Sequence, residues 1–151
     1  GLPTVKRASF TGDLSVGVVL DVETTGLNHA EHEITELGFV KFIYDKSNFH
    51  PLGIEGTYDF LNQPKVPLTE EITRITGITN EMLEGHKFNV SEIEKHFKDV
   101  DIVIAHNSSF DKKFVIKVFT SLATKVWGCS KYDIPWKERG CESMRVSERD
   151  L

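Results

Sequence analysis

The apolar run Val16-Gly17-Val18-Val19-Leu20 leads straight into Asp21-Val22-Glu23-Thr24-Thr25-Gly26-Leu27. A short run with so little polar alternation reads as a strand over 16–22 enclosed within a sheet. Side chains alternate across a strand, so positions 21 and 23 project to one face and their charges must be neutralised together. The next basic residue along the chain is Lys41. Unpaired carboxylates are costly to enclose, and a bound cation is the simplest local remedy. The plainer alternative is a strand end that reaches solvent, followed by a Thr-Thr-Gly turn.

A second acidic module weighs against that alternative. Ile102-Val103-Ile104-Ala105 reads as a short buried strand running into His106-Asn107-Ser108-Ser109-Phe110-Asp111, which opens a helix over 109–119. Ser108-x-x-Asp111 resembles a capping box, and an acid in a first turn suits the helix dipole. Capping leaves His106, Asn107 and Phe110 unexplained. They set a polar pair and an aromatic where strand becomes helix, the position at which open α/β sheets bind ligands.

The rest of the chain reads as one domain without repeats. Residues 34–44 are apolar on both faces and so form a central strand. Asp45-Lys46-Ser47-Asn48 turns into a third strand near 54–61, ended by Asn62-Gln63-Pro64. Short helices are expected near 69–76, 80–84 and 91–98, the last opened by the capping box Ser91-x-x-Glu94. Gly77 stops one helix and Thr79 begins the next. With a strand around Val126 the order is β-β-β-α-β-α-β, an α/β chain with a mixed sheet flanked by helices. Residues 1–14 and 143–151 read as irregular tails.

Taken together, these motifs resemble the DEDD-type 3′ to 5′ exonucleases, in particular relatives of the proofreading subunit of bacterial DNA polymerase III and of ribonuclease T. Asp21 to Leu27 is similar to the first motif of that family, and His106-Asn107-x-x-Phe110-Asp111 to the second. Between them, residues 67–79 are similar to the segment beside the bound strand end. The resemblance implies a ribonuclease-H-like fold and two Mg²⁺ or Mn²⁺ ions about 4 Å apart, the all-oxygen ligand set suiting either metal. Asp21 would bridge both ions, Glu23 would bind the nucleophile-side ion and Asp111 the leaving-group-side ion. Thr24, Thr25, Gly26, Leu27, His106, Asn107 and Phe110 would bind substrate, Leu27 as an apolar wedge and Phe110 by stacking a base.

The third motif of the family, a His or Tyr followed a few residues later by a last metal-binding Asp, has no match. No His follows His106, Tyr132 adjoins Asp133 at the wrong spacing, and the only later Asp is Asp150. Two readings follow: a truncated exonuclease, which is favoured, or a natural variant that keeps fold and cleft with impaired chemistry. The Thr-Thr-Gly-Leu and His-Asn-Ser-Ser-Phe-Asp contexts look more like the His branch. His29, His32, His50, His86 and His96 match no family position and read as surface or loop residues.

Charge is unevenly distributed within a net −5. Residues 21–111 carry seven Lys or Arg against seventeen Asp or Glu, whereas 112–139 carry seven against two. Lys112, Lys113 and Lys117 could draw a phosphate backbone toward the acidic centre. The expected ligand is a single-stranded or frayed 3′ end of DNA or RNA. A polymerase or replication assembly and a second copy of the chain are the candidate protein partners. Without a membrane-length apolar run or secretory segment, a cytoplasmic setting is expected, and Cys129 and Cys141 should be free thiols. The rival readings are a non-catalytic nucleic-acid-binding domain and a haloacid-dehalogenase-type phosphatase, which also begins with an acid-x-acid strand end but leaves His106 to Asp111 without a role.

Overall fold

The computed structural model describes residues 1–130. Five strands, β1 (Leu14–Thr24), β2 (Ile34–Asp45), β3 (His50–Leu61), β4 (Ile102–Ala105) and β5 (Val126–Cys129), form one sheet in the order β3-β2-β1-β4-β5. The first three run antiparallel as successive hairpins; β4 lies parallel to β1 and β5 parallel to β4. Among the described residues, four α-helices accompany them: α1 (Glu70–Thr76), α2 (Asn80–Leu83), α3 (Val90–Lys95) and α4 (Ser108–Val118). The expected mixed sheet flanked by helices is present, with β2 interior.

Alternation divides the sheet into two faces. Val16, Val18, Leu20 and Val22 of β1 join Phe39 and Ile43 of β2 in one core with Ile93, Phe97, Phe114, Val115 and Phe119. The opposite face holds a smaller cluster of Phe42, Tyr44 and Ile104, against which Val19 packs. Gly17 is required there, because a Cβ would stand 2.5 Å from the Phe42 ring. Leu68, Ile78 and Leu83 form a third cluster beneath α1 and α2. Gly77, at φ 78°, ends α1 in the left-handed region, and the Thr79 hydroxyl caps α2 by accepting from the Met82 amide, both as the sequence indicates.

Two boundaries differ from the sequence reading. β3 begins at His50, not Ile54, because Pro51 is tolerated on an edge strand and the irregular register against β2 absorbs it. α3 begins at Val90, and its cap is the Asn89 side chain, which accepts from the Glu92 amide at 3.2 Å; the Ser91–Glu94 box does not form. Glu94 is committed elsewhere, accepting from the backbone amide and hydroxyl of Ser121. Residues 1–14, expected as a tail, carry a bridge from Thr4 to Ile54 along the β3 edge and a 3-10 turn at Arg7–Ser9. His96, in the turn that follows α3, is half-buried and not a surface residue, its ring lying 4.3 Å from that of Tyr58 within a cluster that includes Phe39 and Phe60.

Candidate active site

Parallel pairing of β1 with β4 fixes where the two acidic modules meet. Val19 lies opposite Ile104, so Ala105 and His106 emerge beside Leu20 and Asp21. The chain then turns into α4, whose first turn brings Asp111 back toward the β1 carboxylates. Asp111 is buried to 6% exposure, and its carboxyl is pushed up to about 7, first by burial and then by the charges of Asp21 and Glu23. Glu23 is likewise raised, by burial and then by Asp21. The three residues singled out from the sequence therefore share one electrostatic environment. Asp111 does not act as a cap: Asn107 occupies the N-cap position without a side-chain bond to the helix, and the Ser108–Asp111 box is not made.

Two further acids join them that sequence reasoning passed over. Glu36 on β2 stands directly opposite Glu23, and Asp59 on β3 opposite Gly38, which itself faces Asp21. Burial and a hydrogen bond with Asp59 push Glu36 up to about 7, with the charges of Asp59, Glu23 and Asp21 adding to the rise. Like charges directly across a ladder are destabilising, so this arrangement works against the fold. The hint in the sequence is that Glu36, like Lys41, interrupts a mostly apolar strand; register is needed to place it.

The loop from 24 to 33 is tightly fastened. The Thr24 hydroxyl donates to the Gly26 carbonyl at 2.6 Å, and Thr25 pairs with Glu33 through its amide and its hydroxyl. His32 closes over Gly26, where a Cβ would come 2.5 Å from the imidazole. The Lys117 ammonium reaches across to donate to the His29 carbonyl at 2.6 Å. This framework presents Leu27 at 85% exposure. Leu27, Asn107, Phe110 and Lys113 line a groove of about 280 Å³. Phe110 is half-buried, tilted against Phe114 at 5.0 Å between ring centres, so it serves the core and the groove at once. His106 is exposed, and its carbonyl accepts from the buried Cys129 thiol at 2.8 Å.

Among the described residues, no three His, Cys, Asp or Glu side chains are set to hold a metal ion as they stand. The donor chemistry nonetheless suits a hard divalent cation, since several carboxylate oxygens compete for positive charge within one site. Tyr132, Asp133, Cys141 and Asp150 lie outside the described residues. Among the described residues, no helix is long and apolar enough to cross a membrane.

The RNase_T family profile, described as exonuclease, matches residues 18–132. The PolC-type DNA polymerase III of Caldanaerobacter subterraneus subsp. tengcongensis is 32% identical over 120 residues, covering 76% of this chain and 8% of that protein. The PolC-type polymerase of Thermotoga petrophila is 36% identical over 118 residues, covering 75% and 8%. The chain thus spans a small part of these relatives. Among solved structures, exonuclease X in complex with 5′ overhanging duplex DNA aligns with a TM-score of 0.53 at 21% identity, over 76% of this chain and 59% of that one. The zinc-ion-bound E. coli ExoI–ssDNA complex aligns at 0.54 and 21%, over 70% and 23%. At such identities the structures establish a shared fold. The family profile spans most of the sequence and takes in both acidic modules, and the chain belongs to the exonuclease family, in its DEDD-type 3′ to 5′ group.

Proposed function

We propose that this domain hydrolyses phosphodiester bonds at the 3′ end of a DNA single strand or overhang, using divalent cations held by Asp21, Glu23 and Asp111. The observation that carries the reading is the convergence of these carboxylates from β1 and α4, where burial and mutual charge raise Glu23 and Asp111. A group that retains a proton near neutral pH marks a place where positive charge is favoured. When bound, Mg²⁺ or Mn²⁺ supplies an activated water and charge neutralisation on the attacking and leaving oxygens. Leu27 and Phe110 seat the terminal bases in the adjoining groove, and Thr24 to Gly26 hold Leu27 in place. DNA is favoured over RNA because the similar proteins are named as DNA polymerases and the aligned structures hold DNA.

The 151-residue chain is proposed to be a slow catalyst, because no His follows His106 to accept the proton of the nucleophilic water. A positioned general base is typically worth about 10² to 10⁴ in rate. Hydrolysis of 5′-labelled DNA and RNA oligonucleotides with Mn²⁺ tests both points. Slow 3′-end shortening of DNA supports the reading, and extending the chain with a segment carrying a His and an Asp should raise the rate at least about a hundredfold. Binding with no cleavage in either form favours the non-catalytic alternative.

A further inference from the structure

A second and larger groove, of about 430 Å³, lies beside the same loop and is lined by Lys65, Lys87, Lys117, Phe88 and Phe114. Phe114 also lines the groove that holds Leu27 and Phe110, so the two adjoin along α4. Lys113 belongs to the first and Lys117, one helical turn further on, to the second. None of the three lysines that line the larger groove forms an ion pair with a carboxylate of the described residues. The ammonium groups of Lys87 and Lys117 donate to the carbonyls of Gln63 and His29, contacts that fix position and leave the charge uncompensated. Glu31 and Glu33 share the wall, and the Glu33 carboxylate already accepts from the Lys65 backbone amide at 2.8 Å. Phe114 is buried, whereas Phe88 is half-buried against Phe119 and keeps part of its ring at the groove wall, so uncompensated lysines beside it provide the two contacts that single strands use, phosphate pairing and base stacking.

We propose that this second groove receives the strand upstream of its 3′ end, with Lys65 and Lys87 pairing to successive phosphates and Phe88 facing a base. The proposal rests on the exonuclease reading and extends it to substrate length, making single strands of several nucleotides better ligands than short fragments. Lys65 and Lys87 come from the acidic part of the sequence, 21–111, and only the fold brings them to Lys117.

Fluorescence anisotropy without added metal, with a 5′-labelled trinucleotide and a 5′-labelled oligothymidylate of about ten nucleotides, tests this. The double variant Lys65→Ala/Lys87→Ala should bind the longer strand roughly tenfold more weakly, with the salt slope of log K reduced by about 1.4, the share of two phosphates. Its trinucleotide affinity and melting temperature should match the parent chain, and Lys65→Arg/Lys87→Arg should restore binding. Unchanged affinity and slope for the longer strand would overturn the groove assignment while leaving the exonuclease reading intact, as would equal weakening of both probes. If the parent chain binds neither probe and leaves 3′ ends intact with Mn²⁺, the exonuclease reading fails and takes the groove with it.

Discussion

The two ends of the sheet treat charge in opposite ways. At the end where β4 begins, Lys41 is buried yet meets Asp99 at 3.0 Å, and Arg7 reaches both Asp99 at 2.7 Å and Glu55 at 2.6 Å. Burial alone would raise the Asp99 carboxyl, but the bonds from Arg7 and Lys41 outweigh it and hold Asp99 below its ordinary value. At the other end, Glu23, Glu36 and Asp111 are all raised, and none is ion-paired with a cation of the described residues. A fold that neutralises the buried Lys41 through Asp99 leaves five acids crowded together around β1. Ion pairs compensate charge where they fasten the N-terminal segment to the β3 edge, and raised carboxyls mark the opposite end, where the proposed cation would be held.

That contrast has consequences of opposite sign. Asp111→Asn removes a buried carboxylate from a repulsive group, so hydrolysis should be lost while metal-free stability in urea rises or stays level. A clear loss of stability would show that Asp111 is a structural acid. Phe110→Ala should weaken single-strand binding by about 1 to 3 kcal/mol if a base stacks on it. Equal affinity together with a lowered melting temperature would assign Phe110 wholly to the core. At the opposite end, Asp99→Asn leaves the Lys41 charge buried with a poorer partner and should cost about 1 to 2 kcal/mol, discounted because Asp99 itself is partly exposed. Its nuclease activity should be unchanged, as measured on a 3′-end substrate.

The smallest effect is on pH dependence. Asp111 and Glu36 titrate near 7 in the folded chain, against about 4 when unfolded. The folded state therefore binds more protons through that interval, so the stability these groups contribute is full below about pH 4 and fades as pH rises through 7. The metal-free melting temperature should fall between about pH 5 and 8, less steeply in Asp111→Asn. Identical slopes in the two proteins would show that Asp111 does not titrate between the folded and unfolded states as described.

Much of this architecture is legible in the residues. The apolar run 16–22, the double-faced run 34–44 and the 102–105 strand declare themselves by burial pattern, and Gly77-Ile78-Thr79 by turn chemistry. Local competition hid the rest. Pro51 and Gly53 argue against a strand until an edge position is known, and Asn89 outcompetes Ser91 because Glu94 is drawn away to Ser121. The spacing of Asp21 and Glu23 and the motif around Asp111 single out three carboxylates that the fold brings into one electrostatic environment; Glu36 and Asp59 escape notice because they reach it only through strand register.

The central claim is that crowded carboxylates at the end of β1 await a divalent cation. Calorimetric titration of Mn²⁺ into the parent chain, Asp21→Asn and Asp99→Asn tests it directly. The account predicts binding to the parent chain, its loss in Asp21→Asn and its retention in Asp99→Asn. Mn²⁺ affinity unchanged by Asp21→Asn would contradict it.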